Sequence, residues 1–484
     1  MVGRRSHRGS DNVQPPQGIL LGFSYKDVIV LAVACGGLWA LASRQGLKAA
    51  LAAWVCTFGL GYRTIQVTAY YRIHPSEVLL WGLFLLALNE TPRAKQRVFR
   101  TPAWVWPFAC FWLWGWIGAS PANAPMGKVP WDSMFSEFRN FLLLLPLGVV
   151  AVAAMAREGS WKWALTALFA VGTWLGMAGS LEYFFPGVAH LFPAFMANPD
   201  PFMASGGFAR AQFSFFGGPV ATMVVILCTP IAIALWQWYG REWQRALIVG
   251  AVAAQMLGIY IGGYRSMWLT LGIEVVLWTF IMHGPLWSTF VLVPAAASLQ
   301  YLSQAAHERA STLVGIFNGH PTDSSGIDRW TRVTDTWYSI SHYPWGVGWA
   351  GSGWVHSDFL QIAANLGVVP GVLFALAYLH TLLRLARMVF FRVKRREDSR
   401  LGMSLLLSFV AAGGMLLTQG VEVLPQLMLP VWFVWVLAEI WMQRMRYLGA
   451  MRKQYVSADR ICFAANFQLR RNRPDHAGVH PLGG

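Results

Sequence analysis

Charge is what this chain has little of: Asp, Glu, Lys and Arg make up 12% of its 484 residues, while 56% are hydrophobic. Soluble domains carry about 25% charged residues, so an ordinary water-borne globule is excluded. Nucleotide and metal motifs are missing as well. There is no Walker A run, no DxD pair and no HExxH, which disfavours an ATP-driven pump and a Mg²⁺-dependent nucleotide-sugar enzyme. Cysteine is sparse: Cys35, Cys56, Cys110 and Cys228 lie in apolar runs and Cys462 near the C-terminus, so neither a disulfide framework nor a CxxC metal site is expected. A cleavable signal peptide is not expected either. About two dozen polar and basic residues precede the first apolar run, and no small-residue cleavage site follows it.

What is there instead is a series of apolar runs of roughly 16–25 residues, each about the length that spans a bilayer. They fall at about 27–43, 47–62, 75–89, 102–119, 138–156, 162–184, 213–238, 246–263, 266–283, 285–302, 358–382, 401–418 and 427–443. The expected fold class is all-α, a polytopic helical integral membrane protein. About 12 transmembrane helices, or 13, are expected with one large, partly helical outer loop. The net charge of +16 does not imply nucleic acid, because the basic residues cluster in short segments beside apolar runs. No internal repeat is visible.

Those basic segments set an orientation. The connector 383–400 carries Arg384, Arg387, Arg392, Lys394, Arg395, Arg396 and Arg400 and is therefore cytoplasmic. One span back, the 303–357 loop lies outside. The same alternation puts inside the linkers with Arg241 and Arg245, with Arg157 and Lys162, and with Arg93, Lys95, Arg97 and Arg100. The tail with Arg444, Arg446, Arg452 and Lys453 also lands inside. Thirteen runs would leave the N-terminus outside despite Arg4, Arg5 and Arg8; either the pair 27–43 and 47–62 holds one crossing, or the rule fails there. Twelve is the count adopted. The expected segments are a flexible basic N-terminus (1–24), a transmembrane bundle (25–302), the outer loop (303–357), C-terminal transmembrane helices (358–451) and a disordered tail (452–484).

Side chains able to do chemistry gather on the expected outer side. Within Asp328–Gly367, Trp330, Val333, Trp337 and Ile340 recur at helical spacing and predict a helix with those residues as its apolar face. Pro344 ends it, because the residue before a proline is pushed out of the α region. Gly346, Gly348, Gly351 and Gly353 make a flexible crossing, and a second helix starts at Ser357 as N-cap and runs into the following span. His356 then stands at a helix N-terminus, where N–H groups and the dipole favour an anion. Arg210, in the Pro- and Gly-rich segment 185–212, and Arg265, after the turn Gly262-Gly263-Tyr264, land on the same side. So do Lys128, Asp132 and Glu137 of the 119–137 linker.

Each candidate has a plainer reading beside the chemical one. Arg265 either snorkels to the interface or grips a ligand that the neighbouring glycines allow to approach. Arg210 either anchors a loop or joins Arg265. His356 is either a structural hydrogen-bonding group or a proton-transfer group. Arg329 and Arg332, beside Asp328 and Asp335, read as a self-paired solvated helix face and as secondary candidates for binding. Glu274 and Glu439, inside spans, are functional flags or else neutral or paired groups. Nine residues, about 180° of helix, separate Glu274 from Arg265, so the two share no face. His320 and His342 read as loop residues.

Together these residues resemble those of the bacterial O-antigen ligase and O-antigen polymerase superfamily, polytopic enzymes acting on polyprenyl-diphosphate-linked glycans. The resemblance rests on three features: Arg265 opening a span after Gly262-Gly263-Tyr264, the passage 337–348 with His342-Tyr343-Pro344 and Gly346-Val347-Gly348, and His356-Ser357-Asp358-Phe359-Leu360 followed by Leu366-Gly367. By motif it covers residues of about 200–380. The commoner family form around the arginine is Ser-Arg-Gly, where this chain has Tyr264-Arg265-Ser266.

The resemblance implies a metal-independent glycosyltransferase without a cofactor, in the bacterial inner membrane, with its active site on the periplasmic face under the 303–357 loop. It implies that His356 is the catalytic base and that Arg265 and Arg210 hold the diphosphate, with Arg329 and Arg332 as secondary candidates. The donor would be a glycan on undecaprenyl diphosphate. The acceptor would be a lipid A–core sugar in a ligase, or another lipid-linked glycan in an O-antigen or exopolysaccharide polymerase. Membrane lipids, and not nucleic acid, would surround it. The residue types suit that chemistry: guanidinium forks bind a diphosphate bidentately, and an imidazole can take a hydroxyl proton. A lipid-linked glycan flippase would instead carry internal repeats and mid-membrane polar groups, and a passive scaffold needs no outer Arg and His set.

Overall fold

A chain that leaves water must bond its backbone to itself, so apolar runs of this length fold as helices. The computed structural model describes residues 25–60, 65–66, 72–90, 105–118, 131–155, 160–186, 202–205, 208–211, 213, 220–284, 286–289, 324–352, 355–391, 396–418 and 425–471. Its helices are α1 (Tyr25–Gln45), α2 (Leu47–Cys56), α3 (Pro75–Glu90), α4 (Val105–Gly118), α5 (Trp131–Leu142), α6 (Leu144–Met155), α7 (Ser160–Phe184) and α8 (Ala221–Cys228). There follow α9 (Ala232–Trp238), α10 (Glu242–Gly262), α11 (Arg265–His283), α12 (Ser324–His342), α13 (Asp358–Leu366), α14 (Val368–Phe391), α15 (Arg396–Thr418) and α16 (Pro425–Arg471). Two 3₁₀ turns (Thr57–Leu60 and Thr229–Ile231) and two short antiparallel ladders are described as well: β1 (Ile65–Gln66) with β2 (Arg72–Ile73), and β3 (Phe202–Ser205) with β4 (Phe208–Ala211).

Among the described residues seven helices are long and apolar enough to cross a membrane: Ser133–Met155, Ser160–Phe184, Ala221–Trp238, Glu242–Gly262, Arg265–His283, Val368–Phe391 and Asp398–Thr418. The protein is thus an all-α, membrane-embedded chain. The expected flexible N-terminus (1–24), most of the 285–302 run, the loop segment 303–323 with His320, and residues 472–484 lie outside the described residues.

Small residues and one aromatic seam hold the bundle together. A Cβ added to Gly176 of α7 would come within 2.6 Å of the Ala254 carbonyl of α10, and one on Gly258 within 2.8 Å of Gly176 Cα, so these two backbones touch. Buried Gln255 bridges the contact, donating to the Phe169 carbonyl at 3.2 Å and to Thr173 Oγ1 at 3.0 Å. The seam joins Phe141 of α5, Trp349, Phe374 of α14, and Trp432 and Trp435 of α16, with ring centroids 5.4 to 6.3 Å apart. At the start of α3, Pro75 takes the first helical position. Glu77 Oε1 accepts the His74 backbone N–H at 2.8 Å in capping-box fashion, and its Oε2 meets Arg139 Nε of α5 at 3.0 Å.

The run 47–62 contains α2, ten residues or about 15 Å long, and Leu47, Ala50, Leu51, Trp54 and Val55 are fully buried; it is a core helix, short of bilayer thickness, in line with a pair 27–43 and 47–62 that does not cross twice. Three expectations change. The run 358–382 is not one helix, because Gly367 at φ +107 breaks it into α13 and α14. In α12 the inward side carries Val333, Thr336 and Ile340, whereas Trp330 and Trp337 point outward. The tail expected to be disordered from 452 is helical to Arg471, since no glycine or proline interrupts it between Gly449 and Pro474.

Candidate functional site

The loop between α12 and α13 folds back along the end of α13. α12 stops at His342, as Pro344 requires, and the chain passes through positive φ at Gly346 (+90), Gly348 (+88) and Ala350 (+59). A Cβ on Gly346 would lie 2.4 Å from the Asn365 carbonyl oxygen, so only glycine fits there. The loop N–H groups of Val347 and Gly348 then donate to the Ala364 and Asn365 carbonyls at 3.0 and 2.7 Å, which satisfies α13 carbonyls that have no helical partner.

Side chains complete the fastening. Trp349 is fully buried and donates from Nε1 to the Trp112 carbonyl of α4 at 3.1 Å. Glu137 Oε2 of α5 accepts the Ala350 N–H at 2.7 Å and Asn365 Nδ2 at 2.8 Å. Asn365 Oδ1 accepts the Ser352 N–H and hydroxyl at 3.1 and 2.7 Å, and Gln361 Oε1 accepts the Val355 N–H at 2.6 Å. His356 is the next residue. Ser357 occupies the N-cap position of α13, although its hydroxyl makes no capping bond.

His356 opens onto a cavity of about 620 Å³. Arg329, Ser357, Tyr378 and Thr418 join it as polar lining, and Val333, Phe359, Leu360 and Leu417 form an apolar wall. His356 Nε2 lies 3.8 Å from Asp328 Oδ2, within ion-pair reach but longer than an ordinary hydrogen bond. Asp328 is shared with Arg332, whose Nε sits 3.1 and 3.3 Å from its two oxygens. Burial pulls the His356 imidazole down to about 4; Arg329 and Arg332 push the same way and Asp328 opposes them. The ring is therefore neutral at pH 7. Tyr378 is held in place, donating to the Phe409 carbonyl at 2.7 Å and stacking on that ring.

The candidates from sequence separate here. Arg329 comes together with His356 in the cavity, while Arg332 takes the paired role on the helix surface. Arg265 does not line the cavity; it opens α11 just after Gly263 at φ +65 and is half-buried. It stands close to the same level, because Thr270, about 7.5 Å further down α11, meets Gly414 of α15, and Thr418 of α15 is a lining residue. Arg210 lies in β4 opposite Met203. Its strand runs toward Phe213, which packs against Gly179 and beside Gly262, three residues before Arg265. His342 bonds to Tyr338 of its own helix. Glu439 is engaged by Thr381 at 3.0 Å and Arg384 at 3.4 Å, a structural pairing. Glu274 is buried within α11. Glu137 is the residue that sequence reasoning left as a linker charge.

Among the described residues no group of three His, Cys, Asp or Glu side chains is placed to hold a metal ion. A comparison with models of known protein families finds no match, and neither does a comparison with curated proteins.

Proposed function

We propose that the chain is a membrane glycosyltransferase of the O-antigen ligase kind. It moves a preassembled glycan from undecaprenyl diphosphate to a lipid A–core sugar, on the periplasmic face of the bacterial inner membrane. The observation that carries this reading is the cavity that sets Arg329 and a neutral His356 beside an apolar wall. A polyprenyl diphosphate has the matching halves, an anionic head and a hydrocarbon chain. The fuller topology of about twelve crossings, with the 303–357 loop outside, belongs to the same reading.

In this mechanism the acceptor hydroxyl oxygen attacks the anomeric carbon, and the bond from that carbon to the diphosphate oxygen breaks. The hydroxyl proton passes to His356, and the polyprenyl diphosphate departs with the electron pair. Charge grows on the leaving group, where arginine forks at Arg329, Arg265 and Arg210 stabilise it. A ring with a pKa of about 4 is unprotonated but a weak base. A bound diphosphate offsets the fields of Arg329 and Arg332, two of the three influences that lower it, and so strengthens the base when substrate is present.

The test is single-turnover transfer by purified protein in detergent, with chelator present, from a polyprenyl-diphosphate glycan to a lipid A–core acceptor or to a second lipid-linked glycan. Transfer to the first supports the ligase; transfer to the second alone makes it a polymerase. Transfer to neither sinks the glycosyltransferase reading and leaves a flippase or scaffold. Transfer lost with chelator sinks the metal-free arginine mechanism.

A further inference from the structure

Glu137 stands outside the cavity, on α5, and has no part in the chemistry above. It is nonetheless the acceptor on which the loop closes. The side chain is buried, and two donors from separate segments, the Ala350 N–H at 2.7 Å and Asn365 Nδ2 at 2.8 Å, converge on one oxygen, Oε2. Ala350 sits at φ +59, a left-handed conformation that a non-glycine residue adopts at a cost. A loop in that conformation needs something to hold it. From Asn365 the bonds run to Ser352, from Gln361 to the Ser352 hydroxyl at 3.3 Å and to the Val355 N–H at 2.6 Å, and Val355 precedes His356. Arg139, two residues from Glu137, is taken up by Glu77 at 3.0 Å.

We propose that Glu137 is a positioning residue: by holding the loop through Ala350 and Asn365, it sets His356 against Asp328, Arg329 and the cavity. The catalytic consequence rests on the transferase reading; the effect on His356 itself does not. The groups that face or adjoin His356 are Asp328, Arg329 and Arg332 from α12, buried Asp358 at the start of α13, and Tyr378 from α14. Its protonation therefore reports how closely the loop is held against them.

Diethyl pyrocarbonate acylates unprotonated imidazole. Its rate at His356 can be read by peptide mass on the full-length protein in detergent, with exposed His342 as internal reference for the reagent. Wild type should react at nearly the same rate at pH 7 and pH 5, because the ring is neutral across that range. In Glu137→Ala the loop is released and the ring moves toward its ordinary value near 6.5, so the rate at pH 5 should fall about tenfold or more below that at pH 7. Glu137→Gln keeps a carbonyl oxygen for both donors and should retain the wild-type profile. In the transfer assay Glu137→Ala should lower kcat with little change in donor KM, and Glu137→Gln should rescue it. If Glu137→Ala fails to fold, Asn365→Ala interrupts the same link and should give the same profile. A wild-type pH profile in Glu137→Ala, or in Asn365→Ala where that replaces it, overturns the proposal, as does a Gln variant as damaged as the Ala one. Wild type that transfers no glycan, while Glu137→Ala still shifts the profile, sinks the transferase and leaves Glu137 its role.

Discussion

Among the described residues, two clusters of His, Arg and carboxylate are built in opposite ways. Around His74, Glu77 and Arg139 everything turns inward. Glu77 and Arg139 are 2% and 5% exposed, and both Glu77 oxygens are bonded, one to Arg139 and one to the His74 backbone. The His74 ring reaches the Ser76 hydroxyl, and the Ser76 carbonyl takes Trp54 Nε1 at 2.7 Å. Around His356, Asp328 and Arg332 remain 55% and 41% exposed at the side chain, the His–Asp distance is 3.8 Å, and the cluster borders a cavity. A cluster with its atoms bonded inward has nothing left for a ligand. One that keeps its groups at a cavity rim can use them, and that difference, not the residue types, distinguishes a clamp from a site.

The largest expected effect lies in removing the imidazole at the open cluster. His356→Ala should fold, insert and lose about 10²- to 10⁴-fold in single-turnover transfer, the range for a lost general base. His74→Ala should instead lower the yield of folded protein while the surviving fraction turns over normally. Equal loss of turnover in both variants at unchanged stability would erase the distinction between the clusters.

Stability should show the reverse order. Arg139→Ala leaves Glu77 buried without its guanidinium and should cost about 3–5 kcal/mol. Arg332→Ala breaks an exposed pair one helical turn apart and should cost less than about 1 kcal/mol. Thermal unfolding in detergent decides this, and an Arg332 variant that falls as far as the Arg139 variant would mean that the open cluster is structural.

Arginine chemistry gives a smaller, more selective effect. Lysine keeps the charge but offers a point donor in place of a planar fork. Arg329→Lys and Arg265→Lys should lose about tenfold to a hundredfold in transfer, with kcat falling more than donor affinity. Arg210→Lys should be milder. Loss of donor binding with kcat intact would indicate capture without leaving-group stabilisation, as a flippase requires.

The contrast between the clusters also explains what could be read from sequence. Local signals were legible: Pro344 stopping α12, Ser357 at the N-cap position, glycines where the loop takes positive φ. The helical stripe of Trp330, Val333 and Trp337 was visible too, but spacing alone does not say which side faces the protein, because aromatic residues also suit a membrane interface. The structure turns Arg329 and Val333 to the cavity and leaves the tryptophans outside. Hydropathy likewise cannot tell a buried short helix such as α2 from a span. The sequence Asn365-Leu366-Gly367 did carry a helix-stop signal, hidden by apolar residues on both sides. Glu137 had no local signal at all, since its partner Asn365 is 228 positions away.

The smallest effect concerns pH at the open cluster. His356 is held down near 4 in the folded protein, against an ordinary value near 6.5. The unfolded chain therefore binds the proton first as pH falls. The stability contributed by the neutral ring is complete above about pH 6.5 and is lost progressively between 6.5 and 4. His356→Gln removes that proton and should flatten this part of the curve, so the gap between wild-type and variant unfolding temperatures should narrow or reverse as pH falls from 7 to 4.5. Inorganic diphosphate supplies the anion without the lipid. Bound at Arg329 and Arg332 it offsets their fields, raises the folded value, and should shrink the wild-type loss and end it at a higher pH. Parallel curves for wild type and His356→Gln would mean that the ring is not held neutral. A wild-type curve that ignores diphosphate, while the variants behave as expected, would keep the base and remove the anion from its side.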